Sequence, residues 1–327
     1  MNTLLETQWK LYARYLSRSS APILCGSWRS EVGFEILYWI PFLQAFRMAY
    51  GIKKDRLIAI GRGGSAAWYD MAGQADLYEH VPVETARVWS VQASQQTGSM
   101  KQNRVEPWER HVCGLTAASL GLTRYHTLSP SWMYALLAPF WTGKTSQQWL
   151  NARLAHAVTM PAPTMAPELR AKLPAQYIAM RWYARPTWPP SEKLLLWMRK
   201  QTEQIAQKLP VVLIDSFHAD DHADINLGDL PHVVRLSALT EQTPLNNLAI
   251  QSSVIAQAKA YIGTYGGMAQ GAMRWGVPTL AFYDKFGQTA PEHLALTQHL
   301  SLRTGVPFIV ARPKDADGVL PLILGRA

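Results

Sequence analysis

Ala260-Tyr-Ile-Gly-Thr-Tyr-Gly-Gly-Met-Ala-Gln-Gly-Ala-Met-Arg-Trp-Gly-Val-Pro-Thr-Leu-Ala-Phe282 runs from a short apolar segment into glycines, through a helix-compatible segment, to a second apolar segment. That order predicts strand, tight loop, helix and strand. Gly263, Gly266 and Gly267 lack a Cβ, so the backbone there is able to take positive φ and admit a bulky anion, while the next helix offers unpaired N–H groups. The ligand this predicts is a phosphate. The same glycines also suit a plain βα turn, so the surroundings have to decide.

Outward from this stretch, strands predicted at 177–181, 211–214, 233–236 and 279–283 alternate with helices at 191–208 and 248–258. Alternation of this kind implies a parallel sheet with right-handed crossovers, with ligands at the C-terminal ends of the strands. Residues 157–167 hold three prolines, which suit an extended connector and mark a domain boundary. The expectation is α/β throughout, in two Rossmann-like doubly wound domains, 1–165 and 166–327. In the first, residues 22–25 read as a strand meeting Gly26, 35–50 as a helix containing Pro41, and 56–60 as a strand closed by a glycine turn. Residues 86–149 give weak periodicity and no assigned elements. Residues 9–19 form a helix with Trp9, Tyr12, Ala13 and Leu16 on one face and Lys10, Arg14 and Arg18 on another, which fits packing on its own domain or docking on an anionic membrane surface.

A 48% hydrophobic and 17% charged composition is that of a folded globular chain and excludes long disorder. No apolar run reaches the roughly 18 residues that span a bilayer, and no signal-peptide pattern opens the chain, so a cytoplasmic protein is expected. Two cysteines, Cys25 and Cys113, make neither a disulfide framework nor a metal-ligand spacing. The net charge of +9 favours an anionic partner: nucleic acid, anionic lipid or a phosphorylated substrate.

Five constellations are able to carry chemistry. Gly26-Ser-Trp-Arg-Ser-Glu-Val-Gly-Phe-Glu35 follows the first strand and brings Arg29, Ser30 and Glu31 into a loop where a catalytic base is expected, with Glu35 opening the next helix under the helix dipole. Arg62, Gly63 and Gly64 offer an anion loop. Arg181 and Arg185 end a strand, in a loop stiffened by Pro186, Pro189 and Pro190, and are placed to clamp a diphosphate or to pair with acidic neighbours. Asp215 ends another strand, as a nucleophile or hydrogen-bonding group; His218, Asp220 and His222 after it admit a metal or a solvated loop. Asn246 or Asn247 is predicted to cap a helix.

Taken together, residues 175–285 resemble the donor domain of GT-B glycosyltransferases, especially the heptosyltransferase-like group: a basic loop with a Trp-Pro step, then an alanine, apolar, glycine, threonine, glycine turn, then Gly276-Val-Pro278. The chain departs from that pattern where Gly263 stands in place of an Asp and Tyr265 is inserted. Residues 26–35 also look like bacterial polysaccharide glycosyltransferases akin to Kdo transferases. The resemblance implies two domains facing a cleft, an activated nucleotide-sugar donor held by Arg181, Arg185, Gly263, Thr264, Tyr265, Gly266 and Gly267, and a glycan or lipid-linked glycan acceptor. Glu31 is then the base, or Glu31 or Asp215 the nucleophile, without a metal or other cofactor. Phosphoribosyl pyrophosphate is the alternative donor on the same scaffold. A nucleic-acid-binding protein is the reading from another class, and no recognised motif supports it.

Overall fold

The computed structural model describes residues 3–71, 73–97, 101–154, 160–184, 189–215, 223–283 and 291–325. The chain divides into two compact units, Met1–Pro161 and Ala162–Ala327, within the proline-rich connector.

In the first unit four parallel strands, β1 (Ile23–Gly26), β2 (Leu57–Gly61), β3 (Gly73–Asp76) and β4 (His126–Leu128), lie in the order β3-β2-β1-β4. Every residue of β1 and β2 is buried, as expected of strands covered on both faces. The chain crosses from one side of the sheet to the other at β1 and β4, which makes their C-terminal ends the switch point where ligands bind in such folds. The helix Thr3–Arg18 buries Trp9, Ala13 and Leu16, with the Trp9 ring 5.1 Å from Phe42 and 5.5 Å from Trp132.

The helix predicted over 35–50 starts earlier, with Val32–Phe34, and within that range is two segments, a π-helical turn Glu35–Trp39 and Ile40–Ala49. Pro41 explains the change, since it lacks an N–H and crowds the carbonyl four residues back, and the wider turn just upstream accommodates it. Residues 86–149 are largely helical, with Val83–Thr97, Pro107–Ser119 and Pro130–Trp141 around β4.

The second unit contains β5 (Ile178–Arg181), β6 (Tyr183–Ala184), β7 (Val211–Leu213), β8 (Ala223–Asp224), β9 (Val233–Arg235), β10 (Ala260–Thr264), β11 (Thr279–Phe282) and β12 (Phe308–Ala311). Six of these form a parallel sheet in the order β12-β11-β10-β5-β7-β9, while β6 and β8 pair antiparallel beyond the end of β5. Numbered by appearance within the sheet, the order is 3-2-1-4-5-6, that of dinucleotide-binding doubly wound folds. Its switch point lies between β5 and β10. Ile178, Met180, Val211, Leu213, Ile262 and Leu280 centre the core. β12, the helix Pro291–Thr304 before it and the helix Ala316–Leu324 after it extend the unit beyond the predicted elements. Asn246 occupies a helix N-cap position, but its Oδ1 accepts from Thr243 N at 2.7 Å in the preceding turn. Among the described residues no helix is long and apolar enough to cross a membrane.

Candidate functional site

The glycine turn of the second unit leaves β10 at the switch point and opens the helix Gly267–Arg274. Its glycines serve close approach, and none of Gly263, Gly266 and Gly267 takes the positive φ that the sequence allowed. A Cβ on Gly263 would stand 2.2 Å from Arg181 O on the neighbouring strand, and one on Gly266 would stand 1.9 Å from Tyr183 Oη. Gly266 itself is extended, at φ 168°. Tyr183 ties the turn down: its Oη donates to Tyr265 O at 3.2 Å, and its backbone N donates to Thr264 Oγ1 at 3.2 Å. Tyr265 is buried, and its N donates to Phe282 O at 2.8 Å.

Arg181 is buried beneath this turn. Its Nε lies 3.4 Å from Asp224 Oδ1 and its Nη1 donates to Gln251 Oε1 at 3.2 Å, with Cζ 5.5 Å from the centre of the Tyr183 ring. The guanidinium predicted either to clamp a diphosphate or to pair with acidic neighbours is held by an acidic and an amide partner of the chain itself. Arg185 lies outside the described residues, as do His218, Asp220 and His222. Asp215 takes the hydrogen-bonding alternative of its two predicted roles. Both of its carboxylate oxygens accept from Ser237, Oδ1 from the backbone N at 2.9 Å and Oδ2 from the hydroxyl, so it caps the helix Leu236–Leu239. A carboxylate held in that way is not poised to attack an anomeric carbon.

At the switch point of the first unit, the loop after β1 begins at Gly26, whose φ of 118° and whose closeness to Ile60 O, 2.6 Å from a would-be Cβ, both require glycine. Gln102 pins the loop by accepting from Arg29 N at 3.0 Å and donating to Ser27 O at 2.9 Å. Arg29 is 7% exposed and lies 5.0 Å over the Trp108 ring; among the described residues its Nε and Nη1 meet no acceptor. Burial holds its pKa below the ordinary arginine value, with Glu106 and Glu109 acting in the opposite sense. Ser30 Oγ lies 3.0 Å from the hydroxyl of Tyr134, on the helix after β4, so the two sides of the switch point meet there. Burial pushes the Tyr134 phenol up. Glu31 is exposed at the start of the next helix and does not cap it.

Glu35 has no solvent exposure, and it does not open the helical run as predicted, since that run starts at Val32 after Glu31. It accepts from Tyr69 Oη at 2.7 Å, Ser65 Oγ at 3.0 Å and Arg62 Nη1 at 3.3 Å. Burial raises its pKa and Arg62 opposes that rise. Gly63 and Gly64 do take positive φ, but the anion in their loop belongs to the protein: Asp76 Oδ2 accepts from Gly64 N at 2.7 Å and the same carboxylate accepts from Gly63. The predicted anion loop is thus occupied from within, Arg62 by Glu35 and the glycine amides by Asp76. Among the described residues no three His, Cys, Asp or Glu side chains gather as a metal-ligand set.

No family model matches the sequence, and no curated protein matches it. Solved structures do. An E. coli heptosyltransferase, WaaC with ADP, is 14% identical, with 94% of this chain covering 100% of that one at a TM-score of 0.47. The same enzyme with ADP-2-deoxy-2-fluoro heptose is 16% identical, over 94% of this chain and 100% of that one, at a TM-score of 0.46. A glycosyl transferase of family 9 from Veillonella parvula is 11% identical, over 92% of this chain and 88% of that one, at a TM-score of 0.44.

Sequence reasoning missed Tyr183, Gln251 and Asp224 around the glycine turn, and Tyr134, Gln102 and Asp76 around the first switch point. Each acts on a partner far along the chain, so no local pattern marked them.

Proposed function

We propose that the protein is a glycosyltransferase that moves a sugar from a nucleotide-linked donor to a hydroxyl of a bacterial surface glycan. The observation that carries this reading is the glycine turn at the switch point of a 3-2-1-4-5-6 sheet, where a diphosphate meets backbone amides at a helix N-terminus. The second unit takes the donor there. The amides of Gly266 and Gly267 face the leaving diphosphate, and the dipole of the helix they open adds partial positive charge. Such preorganised charge stabilises the departing phosphate and needs no metal.

The first unit takes the acceptor at its own switch point, where Glu31 removes the proton of the attacking hydroxyl and Arg29, with Ser30 and Tyr134, orients the acceptor. The helix Thr3–Arg18 suits the inner face of the cytoplasmic membrane as the place of work: Lys10, Arg14 and Arg18 are exposed along one row, with Leu4, Leu11 and Tyr15 exposed beside them.

The test is a thermal-shift screen against UDP-, GDP-, ADP-, dTDP- and CMP-linked sugars and phosphoribosyl pyrophosphate. A donor at a hundred times its Kd stabilises the chain by about 2.7 kcal/mol. A selective shift with one nucleotide-sugar class is expected. A shift with phosphoribosyl pyrophosphate alone would move the protein to phosphoribosyl transfer, and no shift with any of them would overturn the donor assignment.

A further inference from the structure

Beside the loop after β1, the first unit has a cavity of about 570 Å³ between the helix Val83–Thr97 and the start of the helix Pro107–Ser119. That volume falls within the roughly 300–1,000 Å³ of small-molecule sites. Its walls are Trp89 and Trp108, stacked at 5.7 Å and 23° between ring planes, with Val105 beside them and Gln92, Arg104 and Glu106 as the polar groups. Trp108 is also the ring beneath Arg29, which puts the cavity next to the acceptor end of β1.

The chemistry of this lining selects its ligand. Trp108 is buried between Trp89 and Arg29, so the face offered to a ligand is the outer face of half-buried Trp89, which is electron-rich, attracts the weakly positive C–H face of a pyranose ring and matches that ring in breadth. The remaining lining offers a guanidinium and a carboxylate paired with each other, Arg104 with Glu106, and a primary amide from Gln92. Together they donate and accept hydrogen bonds with no net charge, which suits the hydroxyl groups of a neutral sugar, each both donor and acceptor. We infer that this cavity is a subsite for a neutral pyranose unit of the acceptor glycan, one or more sugars away from the reacting hydroxyl. The inference rests on the glycosyltransferase reading and adds to it that the acceptor is an oligosaccharide with uncharged residues.

The full chain, labelled with 5-fluorotryptophan, is titrated with maltohexaose, cellohexaose and chitohexaose and followed by 19F NMR. Trp89→Phe and Trp108→Phe assign the two resonances. At least one hexasaccharide is expected to move both, and Trp89→Ala is expected to weaken its binding about tenfold or more, as truncating an aromatic anchor does. Gln92→Ala, which leaves the ring stack in place, is expected to weaken it by a smaller factor. No shift of either resonance with any of the three sugars, or binding unchanged in Trp89→Ala, overturns the subsite. Nucleotide-sugar binding is measured on the same samples: if it persists while the hexasaccharides fail, the subsite alone falls, and if hexasaccharides bind without any nucleotide sugar, the transferase reading falls.

Discussion

Replacing Gly266 by alanine tests the packing that holds the glycine turn. The backbone tolerates the change, since φ 168° is ordinary extended geometry. The new Cβ, however, would lie 1.9 Å from Tyr183 Oη and 3.3 Å from its Cζ, so the phenol has to move. Moving it breaks the bond from Tyr183 Oη to Tyr265 O and disturbs the ring beside Arg181. Overpacking costs about 1–3 kcal/mol, the lost hydrogen bond adds about 1 kcal/mol, and the stiffer unfolded chain offsets about 0.4–1 kcal/mol. The expected net loss is about 2 kcal/mol. In a Tyr183→Phe background the clashing oxygen is absent and the nearest ring carbon is 3.3 Å away, so the same substitution costs less than about 1 kcal/mol there. Thermal and denaturant unfolding of the full chain with all four members of the cycle measures the coupling. Costs that add to within about 0.5 kcal/mol would refute the contact as the reason for glycine.

Glu31→Gln is expected to lower kcat by about 10²–10⁴-fold with donor affinity unchanged, and an unchanged kcat removes Glu31 as the base. Asp215→Asn keeps the cap geometry, so stability is expected to change by no more than about 1 kcal/mol and kcat by about twofold or less; a thousandfold fall in kcat on a stable protein would restore a chemical role. Burial pushes Glu109 from 4.5 up to about 7, against weaker opposition from Ser129 and Arg29. Between those two pH values the folded chain keeps a proton that the unfolded chain has released, so stability falls as pH rises through the window. Glu109→Gln is expected to remove about 3 kcal/mol of that fall, read from unfolding at pH 4.5 and pH 8. Reversing Lys10, Arg14 and Arg18 to Glu is expected to weaken partition onto phosphatidylglycerol vesicles by about a hundredfold or more, and unchanged sedimentation with vesicles removes the membrane assignment.

Much of the second unit was legible in the chain because its strands are short apolar runs closed by glycine or polar residues, and its helix Glu192–Ala206 carries one apolar face. The edge strand β12 went unread although Phe308-Ile-Val-Ala311 is an apolar run of the same kind. In the middle of the first unit, composition hid a helix. Pro130–Trp141 is apolar at every position but Ser131, so apolar residues surround the helix and the stripe it buries does not stand out in the sequence. At the site, the glycines announced a turn but not what stands against them: the oxygen that excludes a side chain from Gly263 comes from Arg181, a strand away. The partners of Arg181 and Asp215 were equally illegible, because a charge at a strand end looks the same whether a ligand or the protein neutralises it.

Asp76 gives the two sheets different futures. Both units present a glycine-bearing turn at the end of a parallel strand, and on backbone shape alone either could receive a phosphate. In the first unit a carboxylate of the chain already sits on the amides of Gly63 and Gly64, and burial raises its own pKa to about 6. A phosphate arriving there would meet a like charge in a filled seat. The carboxylate thereby closes this turn to a second anion by electrostatic exclusion as much as by shape.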